Sequence, residues 1–167
     1  MTEEPLEAQV GRLLLRHRLT VATAESCTGG LVGHLLTNVP GSSEYVLGGI
    51  IAYSNKAKIS LLGVHPETLE QHGAVSELTA LAMAHGARER FGADIAVSVT
   101  GIAGPTGGTP DKPVGLVFVG LVAADVQRCE RHVWAADRLG NKQLSAEAAL
   151  RLLLDYLQGY GGKRWLA

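Results

Sequence analysis

The feature that most constrains this chain is an alternation of two periodicities. Short apolar runs rich in β-branched residues are interleaved with stretches whose apolar residues recur at helical spacing. From Pro5 onward, Leu6, Val10, Leu13 and Leu14 share one helical face, and residues 19–24 form the first strand-like run. Leu31, Val32, Leu35 and Leu36 make a second helical stripe, stopped by Pro40 and Gly41. Residues 45–53 read as a buried strand, residues 55–62 as a helix, and a short helix starts at Pro66. Ser76 is an N-cap for a helix running to about Phe91, with Leu78, Leu81, Ala82 and His85 at helical spacing. Residues 95–100 read as a buried strand and 101–113 as a loop rich in glycine and proline. Residues 114–123 and 127–135 form a hairpin joined at Ala124 and Asp125, and the last helix covers residues 141–157.

Strands separated by helices pair in parallel, whereas two strands in direct succession pair antiparallel. The expectation is therefore an α/β sandwich with a mixed, mainly parallel sheet. With 167 residues, no repeat and no linker, a single domain over residues 1–167 is expected. Hydrophobic residues make up 46% and charged residues 19%, which argues against disorder. Fifteen Lys plus Arg against sixteen Asp plus Glu leave a net charge of -1. That balance speaks against a nucleic-acid partner but leaves room for a small phosphorylated ligand. Cys27 and Cys129 lack CxxC or Cys/His spacing, so neither a zinc site nor a disulfide framework is expected, and no cofactor is called for. The start, Met1-Thr2-Glu3-Glu4-Pro5, is acidic, with no apolar run after it. No membrane association and a cytoplasmic location are expected.

Sites in open α/β sheets gather beyond the carboxyl ends of strands. Three polar or glycine-rich segments fall at such ends: residues 25–30, 53–58 and 100–108. In Glu25-Ser26-Cys27-Thr28-Gly29-Gly30, a strand turning sharply into a helix exposes its side chains and aims backbone N–H groups at one point, suited to an oxyanion. The logic resembles a nucleophile elbow without the GxSxG pattern. The alternative is a capped helix start with Ser26 or Thr28 as N-cap. In Tyr53-Ser54-Asn55-Lys56-Ala57-Lys58, a helix starting near Asn55 places Lys58 in its first turn. Lys58 is either a solvated surface residue or, partly desolvated, a base toward a serine. The segment from Thr100 and Gly101 through Gly104 to Gly108 is either a mobile connection or a loop wrapped around a ligand; the apolar Ile102 and Ala103 favour the second.

The histidines His17, His34, His65, His72, His85 and His132 all lie outside these segments. A serine activated by lysine is therefore preferred over a Ser-His-Asp triad. Cys27 is the rival nucleophile, but no histidine accompanies it, and a small buried cysteine is the commoner case.

At these residues the chain resembles the CinA C-terminal domain family, whose activity is nicotinamide-mononucleotide deamidation. The matching pieces are AESCTGG at residues 24–30, PGSS at 40–43, GGIIAYSNKAK at 48–58, GAVS at 73–76, TGIAGPTGG at 100–108 and KPVG at 112–115. The resemblance implies a three-layer α/β/α sandwich and a metal-free amidohydrolase. In it Ser26 is the nucleophile, assisted by Tyr53 and Lys58, with Thr100 and the glycine loop lining the site. It also implies a stand-alone form of a domain that in many relatives follows a molybdopterin-binding-like domain. The family's late motif, similar to GDRxxVR, reads Ala136-Asp137-Arg138-Leu139-Gly140-Asn141-Lys142 here. Arg138 matches; Lys142 stands for the second arginine and keeps a point charge without the bidentate fork.

The expected reaction is hydrolysis of the nicotinamide mononucleotide carboxamide to nicotinic acid mononucleotide and ammonia. The substrate is expected to meet Cys27, Thr28, Gly29, Gly30, Asn55, Thr100, Gly101 and Gly104, with Arg138 and Lys142 on the phosphate. A homo-oligomer is expected. The alternatives are an amidohydrolase for another small amide, or a catalytically silent nucleotide-binding regulatory module.

Overall fold

In the computed structural model, which describes residues 3–161, the elements run α1 (Leu6–His17), β1 (Val21–Glu25), α2 (Leu31–Thr37), β2 (Val46–Ile51), α3 (Asn55–Leu62), α4 (Pro66–His72), α5 (Glu77–Phe91), β3 (Ile95–Gly101), β4 (Leu116–Ala123), β5 (Gln127–Val133) and α6 (Arg138–Gly159). The extreme ends of the 1–167 span read from the sequence lie outside the described residues. The five strands form one sheet in the order β2-β1-β3-β4-β5. β1 pairs in parallel with both β2 and β3, and the β3-β4-β5 pairings are antiparallel. Two antiparallel steps return β5 to the direction of β3, so four of the five strands point one way. The expected α/β sandwich with helices on both faces is what the chain forms.

The two faces of the sheet are built differently. Alternate residues of a strand point to opposite faces. Val21 on β1, Ile95, Val97 and Val99 on β3, and Val117, Val119 and Leu121 on β4 join one core with α1, α2 and α6. Each large aliphatic fully buried there stabilises the fold by roughly 1.5–3 kcal/mol. The opposite face offers small side chains: Ala22, Ala24, Ala96 and Ser98, with Gly120 against the Ala80 carbonyl. Helix α5 therefore sits close, and Ser98 donates to the Ala80 carbonyl at 2.6 Å.

This closeness shifts the face expected for α5 without reversing it. Leu78 is half exposed at 49% and His85 is exposed, whereas Thr79, Ala80, Met83, Ala84, Gly86 and Ala87 are buried. Small side chains predominate against so near a sheet, with Met83 fully buried among them, while Leu81 and Ala82 pack partly buried against the same core. Gly86 is required where α5 crosses the end of α3, because a Cβ there would collide with the Leu62 carbonyl.

Three boundaries also differ from the sequence reading. β2 is an edge strand of alternating exposure rather than a buried one. β4 begins at Leu116, because Gly115 takes φ +90 and the Trp134 backbone fills the place of its Cβ. Helix α6 starts at Arg138 rather than Asn141. The Asp137 carboxylate caps it by accepting the Gly140 N–H at 2.8 Å, which offsets the poor helix propensity of that glycine. Among the described residues no helix is long and apolar enough to cross a membrane.

Candidate active site

β1 lies between β2 and β3, and the chain leaves it toward β2 on one side while β3 leads on to β4 on the other. Such a switch point opens a crevice at the carboxyl ends of the strands. Ser26 sits there, immediately after β1. Its N–H donates to the Val99 carbonyl at 2.9 Å, and the Ala52 N–H donates to the Glu25 carbonyl at 2.9 Å, so the chain is stitched on both sides just before the turn.

The turn owes its shape to Gly29 at φ +62 and Gly30 at φ +103, values a side-chain-bearing residue adopts rarely. Neither Ser26 nor Thr28 is the N-cap of α2; Gly30 holds that place without a side chain. The Gly29 and Leu31 N–H groups bond to the Ser26 and Thr28 carbonyls. The Glu25 carboxylate takes those of Val32 and Gly33. Among the described residues no other residue accepts the N–H groups of Cys27, Thr28 and Gly30.

Lys58 comes from the first half of α3, whose N-cap is Ser54, accepting from the Ala57 N–H at 3.1 Å. That helix start turns Lys58 back under the end of β2, where it is only 1% exposed. Its Nζ lies 3.1 Å from Ser26 Oγ, 3.0 Å from the Ala52 carbonyl and 3.1 Å from the Tyr53 carbonyl. Among the described residues no carboxylate is bonded to it. Burial pushes its pKa below the ordinary 10.5, with charge on Cys27 opposing. A neutral amine has two N–H groups and one lone pair. In that form the two carbonyls would take the N–H groups and the lone pair would face the Ser26 hydroxyl; a protonated Lys58 donates to all three oxygens. Two weak signals in the sequence, the turn after β1 and the start of α3, thus meet in one contact.

Ser26, Cys27, Tyr53, Lys58, Thr100, Gly101 and Arg138 line one cavity of about 190 Å3. Thr100 is 1% exposed and donates to the Ala74 carbonyl at 2.7 Å. Gly101 lies flat against β4, since a Cβ would stand 2.8 Å from the Leu116 carbonyl oxygen. Cys27 also faces this cavity, but burial pushes its thiol up to about 12, with the charge of Glu25 adding to the effect. At neutral pH it is a thiol and a poor nucleophile.

The remaining expected residues lie at or beyond the mouth. Tyr53 is 62% exposed; its hydroxyl accepts from Arg138 Nη2 at 3.1 Å and is bonded to neither Ser26 nor Lys58. Arg138 Nη1 donates to the Gly104 carbonyl at 2.7 Å, so one guanidinium ties α6, the glycine loop and the end of β2 together. Asn55 is exposed on α3 and does not line the cavity. Lys142 faces a neighbouring groove with Thr28, Gly29, Gly30 and His34, apart from Arg138. Of the six histidines, none lines the Ser26 cavity.

Residues that the sequence reading did not single out complete the walls. Ala74 and Val75, from the GAVS segment before the Ser76 cap, line the cavity beside Ala103, one of the two apolar loop residues the sequence had already marked. Asn141, 1% exposed, donates to the Ala103 carbonyl at 2.9 Å and accepts the Ala136 N–H at 3.1 Å, pinning that loop to α6. Its signal in sequence was its place in the late motif between Arg138 and Lys142.

The chain matches the CinA C-terminal domain family over residues 3–157. It is 57% identical to a CinA-like protein of Chlorobaculum tepidum over 158 residues, covering 92% of this chain and 37% of that protein. It is 54% identical to a CinA-like protein of Salinibacter ruber over 145 residues, covering 87% of this chain and 35% of that one. The chain therefore spans a little over a third of the length of these relatives. Among solved structures it is similar to the competence/damage inducible protein CihA of Agrobacterium tumefaciens, at TM-score 0.87 and 42% identity over 95% of this chain and 99% of that one. The competence damage-inducible protein A of Klebsiella pneumoniae gives TM-score 0.90 at 34% identity, over 93% and 96%. The sequence match over nearly its whole described length and these shared folds agree: the chain belongs to the CinA C-terminal domain family.

Proposed function

We propose that this chain is a serine amidohydrolase acting on the carboxamide of nicotinamide mononucleotide. The observation that carries the reading is the buried Lys58 Nζ at 3.1 Å from Ser26 Oγ, held by two carbonyls and no carboxylate. A binding module has no need of a desolvated amine on a serine hydroxyl.

In the proposed reaction, neutral Lys58 takes the Ser26 proton as Oγ attacks the carboxamide carbon. The oxyanion that forms meets the free N–H of Cys27, next to the nucleophile. Lys58 returns the proton to the departing nitrogen, and ammonia leaves an acyl-serine. Water, deprotonated by the same amine, cleaves that ester and yields the carboxylate and free Ser26. The cavity holds about six water molecules at roughly 30 Å3 each, which suits a single carboxamide-bearing ring. Ribose and phosphate then extend past the mouth, where Arg138 is the nearest cation. Tyr53 serves there as the partner of Arg138, and Lys142 is placed for a charge beyond the Ser26 turn.

The test is ammonia release from nicotinamide mononucleotide alongside a panel of other small amides. Preferential turnover of the mononucleotide, lost in Ser26→Ala, supports the reading. Turnover of another amide alone moves the specificity, and release from none of them sinks the enzymatic reading.

A further inference from the structure

One buried charge takes no part in those steps. Glu25, the last residue of β1, is 2% exposed, and both its oxygens are occupied. Oε1 accepts the Thr28 hydroxyl at 2.7 Å and the Val32 N–H at 2.9 Å, and Oε2 accepts the Gly33 N–H at 3.0 Å. The residue immediately before the nucleophile thus grips the chain in the middle of the turn and again beyond it.

A helix start does not by itself need such a device. A short polar side chain at the N-cap satisfies the first N–H groups locally. Here the N-cap is Gly30, and the work passes to a carboxylate that reaches seven and eight residues ahead at the cost of burying a charge. What that arrangement decides is which N–H groups stay open. Val32 and Gly33 are consumed by Glu25, Gly29 and Leu31 bond inside the turn, and the N–H groups of Cys27, Thr28 and Gly30 remain, that of Cys27 beside Ser26.

We propose that Glu25 is a positioning residue for Ser26, its carboxylate setting the turn so that the hydroxyl meets Lys58 while the Cys27 N–H stays open to the oxyanion. The inference rests on the serine reading above. Glu25→Gln tests it at almost constant volume. If the amide oxygen replaces Oε1, the amide nitrogen faces the Gly33 N–H, donor against donor, and the turn must shift. Thr28→Val removes one of the three bonds and leaves the carboxylate in place.

The full chain, these two variants and Ser98→Ala are treated with a fluorophosphonate, in which a serine oxygen attacks phosphorus and fluoride leaves. The rate of labelling at Ser26 is read by peptide mass spectrometry. Glu25→Gln is expected to label at least tenfold slower and Thr28→Val by a smaller factor. Ser98→Ala, which loses a buried hydrogen bond on the α5 face, keeps the rate of the unmutated chain. With nicotinamide mononucleotide, Glu25→Gln should lose kcat by a similar factor while KM stays within twofold, a split that general loosening of the fold does not produce. Equal labelling of Glu25→Gln and the unmutated chain overturns the proposal and leaves the serine reading standing. If Glu25→Gln melts below the assay temperature, Thr28→Val decides in its place, and unchanged labelling overturns the proposal. An unmutated chain that is not labelled at Ser26 overturns the serine reading and the positioning role together.

Discussion

The floor and the mouth of the Ser26 cavity are built on opposite terms. At the floor, Ser26, Lys58 and Thr100 are 8%, 1% and 1% exposed, and each is tied to backbone. At the mouth, Tyr53 is 62% exposed and Arg138 is exposed, and their contact is one hydrogen bond between side chains. Burial sets a protonation state, because removing water disfavours charge. Exposure leaves a charge intact and free to exchange one partner for another. The difference teaches that the floor is suited to chemistry and the mouth to recognition, and substitutions can break or sharpen that division.

The largest effect is expected at the proposed nucleophile, Ser26. Ser26→Ala should reduce kcat by on the order of 10³-fold or more while ligand binding, followed by calorimetry, persists. Cys27→Ala should keep substantial activity, since its thiol stays protonated. The reverse pattern would move the nucleophile to Cys27.

Next comes Lys58, where base and charge can be separated. Arginine keeps the charge but cannot lose its proton. Lys58→Arg should therefore lose on the order of 10²-fold in kcat, close to Lys58→Ala. In the unmutated chain the pKa of Lys58 lies below 10.5. The active neutral form is lost as pH falls through that lowered value, so kcat/KM should drop toward acid. Stability follows the same sign: the unfolded chain binds the proton more tightly, so folding weakens as pH falls through the native pKa and gains from below it up to the unfolded value. Retention of activity in Lys58→Arg would reduce the lysine to an electrostatic role.

At the mouth the effects should be smaller and should appear in KM. A charge-assisted hydrogen bond contributes about 1.5–3 kcal/mol, or about 10- to 100-fold. Arg138→Ala should raise KM for the mononucleotide within that range and leave nicotinamide riboside, which lacks the phosphate, little changed. Equal losses on both would show that Arg138 acts through its grip on Gly104. Smallest of all should be Tyr53→Phe, which removes one exposed hydrogen bond; a loss of a few-fold is expected, measured in kcat/KM. A collapse of kcat instead would bring the Tyr53 hydroxyl into proton transfer.

Legibility in the sequence followed the same division. The strands that lead to the site stood out as apolar runs, and the segments after them as breaks in those runs, so Ser26, Lys58 and Thr100 could each be marked. Arg138 and Lys142 were marked together as cations of one motif. One helical turn, about 5.4 Å, separates them, and that is enough to set Arg138 at the mouth and Lys142 over Gly29 in the next groove. Glu25 was quoted as part of the turn, but nothing in its spacing told that its carboxylate would reach Val32 and Gly33. Of the α5 face expected from the sequence, Leu81 and Ala82 pack on the core, but Leu78 and His85 are exposed, because alanines and Met83 supply the row that meets the sheet.

The sequence by itself determined the order of the elements, the α/β class and the three strand ends where polar residues gather. Those features rest on local periodicity and backbone preference, which neighbouring residues settle among themselves. Only the tertiary structure decided that Lys58 reaches Ser26 from 32 positions away, and that among the described residues it finds carbonyls but no carboxylate. It also decided that Cys27 is sealed while Tyr53 is open. Burial and long-range contact depend on how whole layers pack, and the hydrophobic effect that drives the packing is not directional. A residue's chemistry here follows from which water is taken away from it, and that is settled only when the sheet and its helices close.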